Sequence, residues 1–295
     1  ITGGTGFIGR ALVMRLLRRG DALTVLSRDP PKAAALLGDR VRIWESLGQW
    51  RADTAFDAVI NLAGEPIIDK AWTPERKRLL LASRIGITGQ LLDGIRHCQQ
   101  KPAVLLSGSA IGIYGDTGTA ICTESTPLAD DFAATLCRQW ERAAEPAEPL
   151  GVRTVFLRTG LVLHQDGGML KKLLLPFKLG LGSRLGDGRQ TMSWIHRHDY
   201  LNAVIFLLDS TECRGAFNLT APHPVSNAGF TDALAVSLGR KALLVTPSIL
   251  LKPVLGERSI LLFGGQKVVP EKLLRAGFAF RYPSLADALE NGGVD

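Results

Sequence analysis

The feature that most constrains the fold is the glycine-rich run TGGTGFIG at residues 2–9. Its glycines satisfy the spacings GxxGxxG and GxGxxG, which occur where a strand turns tightly into a helix. One glycine permits the turn, one lets the backbone approach a pyrophosphate, and one lets the helix pack closely on the sheet. An amphipathic stretch follows at once, so its first amide groups and positive dipole end would face the phosphates. The residues predicted to bind a dinucleotide here are Gly3, Gly4, Thr5, Gly6, Phe7, Ile8 and Gly9.

Four short runs are apolar almost throughout, as strands buried on both faces of a parallel sheet are. They cover residues 22–28, 58–64, 103–110 and 153–160. Amphipathic stretches lie among them, at 7–19, 73–98 and 130–145. Strand–helix alternation of this kind predicts βαβ units. The sequence therefore predicts an α/β fold, a Rossmann-type doubly wound parallel sheet with ligands at the carboxyl ends of the strands.

The pattern changes after about residue 165, and we predict a domain boundary there. Residues 1–165 are expected to form the nucleotide-binding domain, and residues 166–295 a smaller α+β region on the substrate side. A strand and helix from 186–222 are free to rejoin the first domain. The elements predicted in the later part are a helix starting near Asp199, a strand at 215–221 and a helix near 226–238.

Composition narrows the class of protein. The net charge is +7, but the basic residues form no block interleaved with aromatic residues, so we expect no nucleic-acid partner. No run of about 18 apolar residues occurs, so we expect no membrane span and no membrane partner. No signal peptide is visible, and cysteines without paired spacing indicate free thiols, which predicts a cytoplasmic location. His196, His198 and Asp199 lie close in sequence, but without a second ligand cluster they predict no metal site.

The residues after the first complete strand run indicate which dinucleotide is favoured. NAD sites usually carry an acidic residue here, which accepts hydrogen bonds from the ribose 2′-hydroxyl. This chain has Ser27 and Arg28, and a guanidinium pairs well with a 2′-phosphate. The pattern favours NADP(H), although Asp29 is near enough to keep NAD open. A solvated arginine at a strand end is the plainer alternative.

A second small-residue segment, NLAG at 61–64, ends the next buried run. Because Ala63 and Gly64 carry almost no side chain, a ribose or adenine can lie against the backbone there. We therefore add Leu62, Ala63 and Gly64 to the predicted cofactor contacts. An ordinary strand-to-helix turn is the alternative.

Five segments in a fixed order carry a resemblance to a known family. TGGTGFIG, NLAG, SGSAIGIYG, LRTG and WIHRHD resemble the extended, nucleotide-sugar-epimerase-like branch of the short-chain dehydrogenase/reductase superfamily. AWTPERKRLLLASRIGIT, DGGMLKKLLLPFKLGLG and GQKVVPEKLLRAGFAFRYPSLADAL look like one atypical subfamily, the epimerase family proteins, with a short C-terminal domain of undefined role at 246–291. The resemblance implies NADP(H), a small-molecule substrate of the nucleotide-sugar type, and a homodimer through the helices at 73–98 and 130–145.

The resemblance also implies a catalytic YxxxK helix, which this sequence lacks. In the family the tyrosine is the acid/base, while the lysine lowers its pKa and holds the nicotinamide ribose. If Glu141 aligns with the acidic residue after the motif, Ala133 and Cys137 stand where the tyrosine and lysine are expected. The three tyrosines of the chain are followed four positions later by Gly118 after Tyr114, Val204 after Tyr200 and Ala286 after Tyr282.

Two residues are the predicted catalytic groups. Ser109 resembles the family serine that hydrogen-bonds the substrate oxygen, although the spacing to Tyr114 is one residue longer than usual, which keeps Ser107 as a rival and a cofactor contact. Tyr114 is the preferred substitute for the acid/base, because it lies just past a strand end. Arg84 stands where the superfamily often has an asparagine and is predicted to face a phosphate, with a surface salt bridge as the alternative.

Two further residues are weaker substitutes for the missing acid/base. A thiol can carry a proton, but Cys137 is more naturally a buried helix cysteine. His196 is a candidate to reach the site from the substrate half, but WIHRHD fits better as a segment that shapes the pocket and caps the next helix through Asp199.

Three functions fit these observations to different degrees. The favoured one is an NADP(H)-dependent oxidoreductase or epimerase with unusual catalytic groups. The second is a nucleotide-binding protein with little or no turnover, acting as a redox sensor or partner-binding module. Some members of the subfamily that this chain resembles are linked to bacterial or plastid division, which fits this second function by analogy alone. Nucleic-acid binding through the positive charge is a distant third.

Overall fold

The computed structural model describes residues 1–290, which form fourteen strands and twelve α-helices. The strands are β1 (Leu23–Leu26), β2 (Val41–Trp44), β3 (Ala58–Asn61), β4 (Val104–Ala110), β5 (Ile121–Cys122), β6 (Arg153–Thr159), β7 (Leu161–Leu163), β8 (Ser183–Leu185), β9 (Thr191–Met192), β10 (Trp194–His196), β11 (Gly215–Leu219), β12 (Val225–Ser226), β13 (Leu244–Thr246) and β14 (Lys267–Val268). The helices are α1 (Phe7–Arg19), α2 (Pro30–Leu37), α3 (Pro74–Leu81), α4 (Ile87–His97), α5 (Phe132–Ala144), α6 (Gly168–Lys178), α7 (Arg197–Asp209), α8 (Asn227–Ser237), α9 (Ser248–Leu255), α10 (Ile260–Phe263), α11 (Glu271–Arg275) and α12 (Leu285–Glu290). A π-helical turn, Ala82–Gly86, joins α3 to α4.

The central sheet is parallel and places the glycine loop at its middle. Its order from one edge to the other is β2, β1, Thr2, β3, β4, β6 and β11. Thr2 takes part through parallel bridges to Leu26 and Asn61. Because the chain order reverses beside Thr2, the glycine loop opens at the switch point where doubly wound sheets hold their ligands.

Helices cover both faces of this sheet, which confirms the predicted α/β doubly wound architecture. On one face, α1 and α7 pack against Ile60 and Leu106. On the other face, α4 and the end of α5 pack against Val59 and Leu105. Neighbouring strand residues point to opposite faces, and both faces are covered, so the strand runs are apolar without alternation.

The predicted helix at 7–19 has the same bounds as α1, whereas α2 and β2 were not predicted. The sequence DPPK at the start of α2 suggests a turn, but the Asp29 carboxylate accepts the Lys32 N–H at 3.1 Å and caps the helix. The stretch 73–98 is divided into α3, the π-helical turn and α4. Within residues 1–290, no helix has the length and apolar character needed to cross a membrane.

The chain after residue 165 returns in part to the main sheet. β11 pairs in parallel with β6 over five residues, and α7 packs against α1. The later short strands form two-stranded pairs, β7 with β10, β8 with β13, β9 with β12, and β5 with β14. The division into domains at 165 stays a prediction, and residues 291–295 of the second domain lie outside the described residues.

The start of α7 corrects one expectation. The prediction that Asp199 caps this helix is wrong, because His196 is the N-cap and its Nδ1 accepts the His198 N–H at 3.2 Å. Asp199 is fully buried and accepts the backbone N–H groups of Arg281, at 3.0 Å, and Tyr282, at 2.8 Å. Its carboxylate therefore ties the C-terminal segment to α7.

Substituting Asp199→Ala should lower the free energy of unfolding by about 3–5 kcal/mol, because two buried N–H groups lose a charged acceptor. Chemical denaturation measures this loss. The matched control is Asp209→Ala on the same helix, whose side chain is 60% exposed and pairs with Arg19. Its loss should stay below about 1 kcal/mol, and equal losses in the two variants would contradict the tie.

Candidate functional site

The glycine loop is shaped by two close backbone approaches. Gly3 has a φ of +69°, and a Cβ on it would lie 2.5 Å from the carbonyl oxygen of Leu62. A Cβ on Gly9 would collide with the Gly3 carbonyl oxygen. A larger residue at Gly3 would collide with the backbone that follows β3, and one at Gly9 would push α1 away from the loop. Both positions are therefore glycine because of the fold itself.

Gly6 differs because it is exposed and its surroundings are open. A Cβ on it would meet only the Gly3 oxygen, at 3.3 Å, and its φ of −74° is accessible to any residue. Gly6 is the N-cap of α1, whose first turn, beginning with Phe7 and Ile8, has neither an acidic residue nor a side-chain cap. The unpaired amide groups and the dipole end of α1 therefore make an anion site beside Gly6. Gly4 and Thr5 complete the loop, with Gly4 buried.

Arg28 extends into solvent from the carboxyl end of β1. Its side chain is 93% exposed, and one Nη atom lies 3.4 Å from Glu65 Oε1. Ser27 Oγ accepts the Asp29 N–H at 3.2 Å. The Asp29 carboxylate caps α2 through one oxygen, whereas the Arg28 guanidinium is largely exposed. The roles predicted for these two residues towards a ribose stay predictions.

The segment Leu62–Gly64 lies beside the glycine loop and against Arg84. The Ala63 N–H donates to Thr2 Oγ1 at 3.2 Å, and a Cβ on Gly64 would lie 3.0 Å from Arg84 Cζ. The Arg84 guanidinium donates to the carbonyl oxygen of Glu65 at 3.0 Å. These contacts bring the predicted cofactor residues of two separate sequence segments together.

Arg84 is half-buried rather than paired at the surface with a carboxylate. Besides Glu65, it donates to the carbonyl oxygen of Leu80 at 3.2 Å, and its Cζ lies 5.1 Å from the centre of the Trp140 ring. Burial lowers the pKa of Arg84. It lies in the π-helical turn, a local distortion that is frequent at functional sites.

Ser109 and Tyr114 belong to one buried polar network centred on Arg158. Ser109 Oγ donates to Glu141 Oε1 at 2.7 Å, and Arg158 donates to both Glu141 oxygens at 2.9 Å each. Arg158 also donates to Tyr114 Oη at 2.9 Å, and Tyr114 donates to Asn218 Oδ1 at 2.7 Å. Two predicted catalytic residues that are close in sequence are thus joined through two residues from other elements, Glu141 and Arg158.

Tyr114 is placed poorly for exchanging a proton with a ligand. Its ring is buried, and its hydroxyl oxygen is engaged both as donor and as acceptor. Burial raises its pKa to about 12, although Arg158 acts in the opposite direction. As a catalytic residue Tyr114 stays a prediction, and its hydroxyl would first have to leave Asn218.

Ser107, the rival serine, lies on β4 between Asn61 of β3 and Phe156 of β6. Its Oγ is buried and has no hydrogen-bond partner in residues 1–290. A buried hydroxyl of this kind marks a place where a bound group can supply the missing partner. Ser109, by contrast, already donates its proton to Glu141.

The helix expected to carry YxxxK is α5, where Ala133 and Cys137 are both buried. Burial raises the pKa of Cys137 to about 12, and the Glu141 carboxylate acts in the same direction. Its sulfur is therefore a neutral thiol at ordinary pH. The position has neither the charge nor the reach of a lysine.

His196, the other weak substitute for the missing acid/base, is the N-cap residue of α7. Its Nδ1 accepts the His198 N–H, and its ring packs edge-on against Tyr282 at 4.4 Å between centres. Among residues 1–290 no group of three or more His, Cys, Asp or Glu side chains is arranged to hold a metal ion.

Sequence reasoning missed Arg158, Asn218 and Glu124 and treated Glu141 only as an alignment marker. Glu124 accepts the Asn218 N–H at 3.0 Å, and the Lys272 N–H at 3.3 Å, so the network reaches α11. One signal was present, because Arg158 directly follows the apolar residues 155–157 in a strand that is expected to be buried on both faces. A charge in such a strand requires a buried partner, but the sequence does not say which.

Comparisons with known proteins agree with this geometry. Residues 1–220 match the model of the NAD dependent epimerase/dehydratase family, and residues 246–291 match a domain of unknown function, DUF1731. The chloroplastic epimerase family protein SDR39U1 homolog of Arabidopsis thaliana is 37% identical over 296 residues, which cover 98% of this chain and 84% of that protein. Epimerase family protein MW0731 of Staphylococcus aureus (strain MW2) is 37% identical over 292 residues, covering 99% and 97%. The crystal structure of human epimerase family protein SDR39U1 (isoform2) with NADPH has a TM-score of 0.90 at 34% identity, covering 99% of this chain and 97% of that chain.

The parallel sheet and the open glycine loop define a Rossmann-fold protein. The chain belongs to the NAD dependent epimerase/dehydratase family, whose model covers most of its length. The match at 246–291 confirms the predicted short C-terminal domain of undefined role.

Because its pKa is raised to about 12, Cys137 should react with a thiol reagent at pH 8.5 on the order of a thousandfold more slowly than an ordinary cysteine, which is half thiolate there. All four cysteines are buried, so native protein should show no fast-reacting thiol, whereas protein in denaturant should show all four. Timed reaction with a chromogenic disulfide measures both. A fast thiol that disappears in Cys137→Ala would contradict the burial of this group.

Proposed function

We propose that this protein is an NADP(H)-dependent oxidoreductase or epimerase that acts on a small molecule of the nucleotide-sugar type with unusual proton-transfer groups. The observation that carries the proposal is that the open side of Gly6 and the exposed Arg28 lie at the same edge of one sheet. The similar human protein was solved with NADPH, which supports the same cofactor class. When bound, that cofactor supplies or accepts a hydride at a carbon of the substrate.

The residues present fit a dinucleotide phosphate. The first-turn amide groups of α1 would hold the pyrophosphate beside Gly6, and Arg28 with Ser27 would hold the 2′-phosphate. The small residues Ala63 and Gly64 leave the backbone open for a ribose. The unsatisfied Ser107 hydroxyl offers a further polar contact in the middle of β4, opposite the last residue of β3, Asn61.

Proton transfer is the unusual part of the proposed chemistry. Ser109 donates to Glu141, so its oxygen is left as an acceptor that can orient a substrate hydroxyl. Two hydrogen bonds from the Arg158 guanidinium fix the orientation of the Glu141 carboxylate, and this carboxylate in turn orients the Ser109 hydroxyl. A positioned acid/base accelerates the interconversion of a carbonyl and an alcohol by about 10²–10⁴-fold. Because the chain lacks YxxxK, we expect it to catalyse this interconversion slowly.

A second candidate function is nucleotide binding with little or no turnover, as a redox sensor or partner-binding module. It is favoured because neither candidate replacement for the missing acid/base is ready to exchange a proton. Tyr114 is hydrogen-bonded to both Arg158 and Asn218, and Cys137 is a buried neutral thiol. The cytoplasmic location and the homodimer expected from the resemblance stay predictions under either function.

A thermal-shift panel with NADP⁺, NADPH, NAD⁺ and NADH, each alone and with a set of nucleotide sugars, tests the proposal. A ligand that binds the native state stabilises it by about 2.7 kcal/mol at a hundred times its Kd. Stabilisation by NADPH with a further increment from one nucleotide sugar supports the enzyme, and that sugar then enters an NADPH-consumption assay. Stabilisation by NADPH alone favours the sensor, and none by any dinucleotide contradicts both.

Arg28→Ala should weaken NADPH binding by about 10–100-fold, since a charge-assisted bond to the 2′-phosphate is lost. NADH binding should change by less than about twofold, because NADH lacks that phosphate. Calorimetric titration with both nucleotides measures the difference. Arg142→Ala, at an exposed arginine on α5, is the control, and equal weakening of NADPH and NADH would remove the 2′-phosphate role from Arg28.

Gly6→Val should abolish binding of NADPH and NADH alike, because the valine side chain fills the space beside the α1 amide groups. The fold should persist, since the φ at this position suits any residue. The control is Gly89→Val on α4, where a Cβ would have open space around it. Unchanged nucleotide affinity in Gly6→Val would place the pyrophosphate elsewhere.

A further inference from the structure

Exposed apolar side chains are concentrated in one part of the molecule. Ten of the fifteen large apolar residues that are exposed within residues 1–290 come from 175–184 and 236–254, and we call these two stretches the apolar-basic surface. Leu243 is 82% exposed, Ile249 77% and Val254 73%. Isolated exposed apolar residues are ordinary, whereas a concentration of this size marks a contact surface.

The two stretches lie side by side. β13 pairs in parallel with β8 from Leu244 opposite Ser183 onward. Ser183 Oγ and Thr246 Oγ1 are 2.7 Å apart, and Arg240 Nε donates to the Lys178 carbonyl oxygen at 3.0 Å. The exposed residues of α6 and the β8–β13 pair therefore lie next to one another, and α9 begins two residues after β13, where Ser248 Cβ would lie 3.6 Å from a Cβ on Gly186.

The helix α9 has an unusual composition for a surface helix. Its sequence is SILLKPVL, and none of its residues is buried. All of its residues except Ser248 and Lys252 are apolar, and the apolar face of a helix normally packs on a core. Ile249, Leu250 and Val254 are all largely exposed, so the apolar side of α9 is directed outward.

Charge identifies what would cover this surface. The two stretches contain five basic residues, Lys178, Arg184, Arg240, Lys241 and Lys252, and no acidic residue. All five are exposed, and none forms an ion pair with another part of residues 1–290. A second copy of this chain would bring these cations against one another, and lysine is depleted in protein interfaces.

We propose that the apolar-basic surface docks this protein onto an anionic phospholipid membrane. The apolar side chains would enter the boundary between headgroups and acyl chains, while the lysines and arginines would face lipid phosphates. The prediction of no membrane partner rested on the absence of a spanning segment, and peripheral docking needs none. The surface shares no residue with the glycine loop, Arg28 or the Arg158 network.

Co-sedimentation of the full chain with vesicles tests the proposal. One vesicle set is phosphatidylcholine alone, and the other is equal parts phosphatidylcholine and phosphatidylglycerol. Binding is expected to the mixed vesicles and is expected to fall as salt is raised, because salt screens the attraction. No binding to the mixed vesicles, or equal binding to both sets, would overturn the proposal.

Matched variants distinguish vesicle binding through the apolar-basic surface from non-specific binding. Ile249→Asp should remove most of the bound protein, whereas Leu274→Asp, at an exposed apolar residue of α11, should not. Lys252→Glu should weaken the partitioning of the protein onto the mixed vesicles about fivefold or more. Arg51→Glu should not, because this exposed residue lies outside both stretches of the surface. Both surface residues are exposed, so the melting temperature should be unchanged in every variant, and a common loss in all four would contradict the proposal.

Light scattering after gel filtration tests whether a second copy of the chain covers the apolar-basic surface instead of a membrane. The wild-type protein should keep the same oligomeric state as Ile249→Asp. If the wild-type protein is a dimer that Ile249→Asp converts to a monomer, the surface is an interface between copies of the chain and the membrane proposal is overturned.

Discussion

The guanidinium of Arg158 is bonded to two carboxylate oxygens and a phenol inside the protein, and several elements meet at this point. It joins β6 to α5 through Glu141, and to the turn after β4 through Tyr114. Removing one partner would leave a buried charge without its counterion, which is among the most destabilising changes a protein can suffer. The interior next to the carboxyl ends of the central strands is therefore held rigid by charge as well as by packing.

This rigidity has consequences for the chemistry at the same edge. The groups that could move protons are held by the network, since Ser109 donates to Glu141 and Tyr114 donates to Asn218. The groups suited to phosphates are open, since Gly6 and Arg28 both face solvent. Both proposed functions begin from this contrast between engaged proton-transfer groups and exposed groups suited to phosphates.

The C-terminal region is joined to the rest of the chain by apolar packing and by polar ties. Leu273 and Phe278 belong to the same buried core cluster as Leu12 and Leu106. Asp199 accepts two backbone N–H groups from the segment at 281–282, and Glu124 accepts the N–H of Lys272. Each tie satisfies buried polar groups at two distant places in the sequence, so it fixes orientation as well as distance. The exposed basic residues of the apolar-basic surface take no part in these ties and form no ion pair with another part of residues 1–290.

The sequence by itself determined the class of fold, the position of α1 and the glycine loop, because these follow from local spacing and from apolar runs that two-sided burial requires. It did not reveal α2, whose DPPK start depends on the Asp29 cap, or β2, a short strand at the sheet edge. Only the tertiary structure decided that Tyr114 is engaged, that Asp199 binds the C-terminal segment, and that Arg158 pairs with Glu141. These outcomes depend on contacts between residues far apart in the chain, and local spacing carries no information about which buried charge will find which partner.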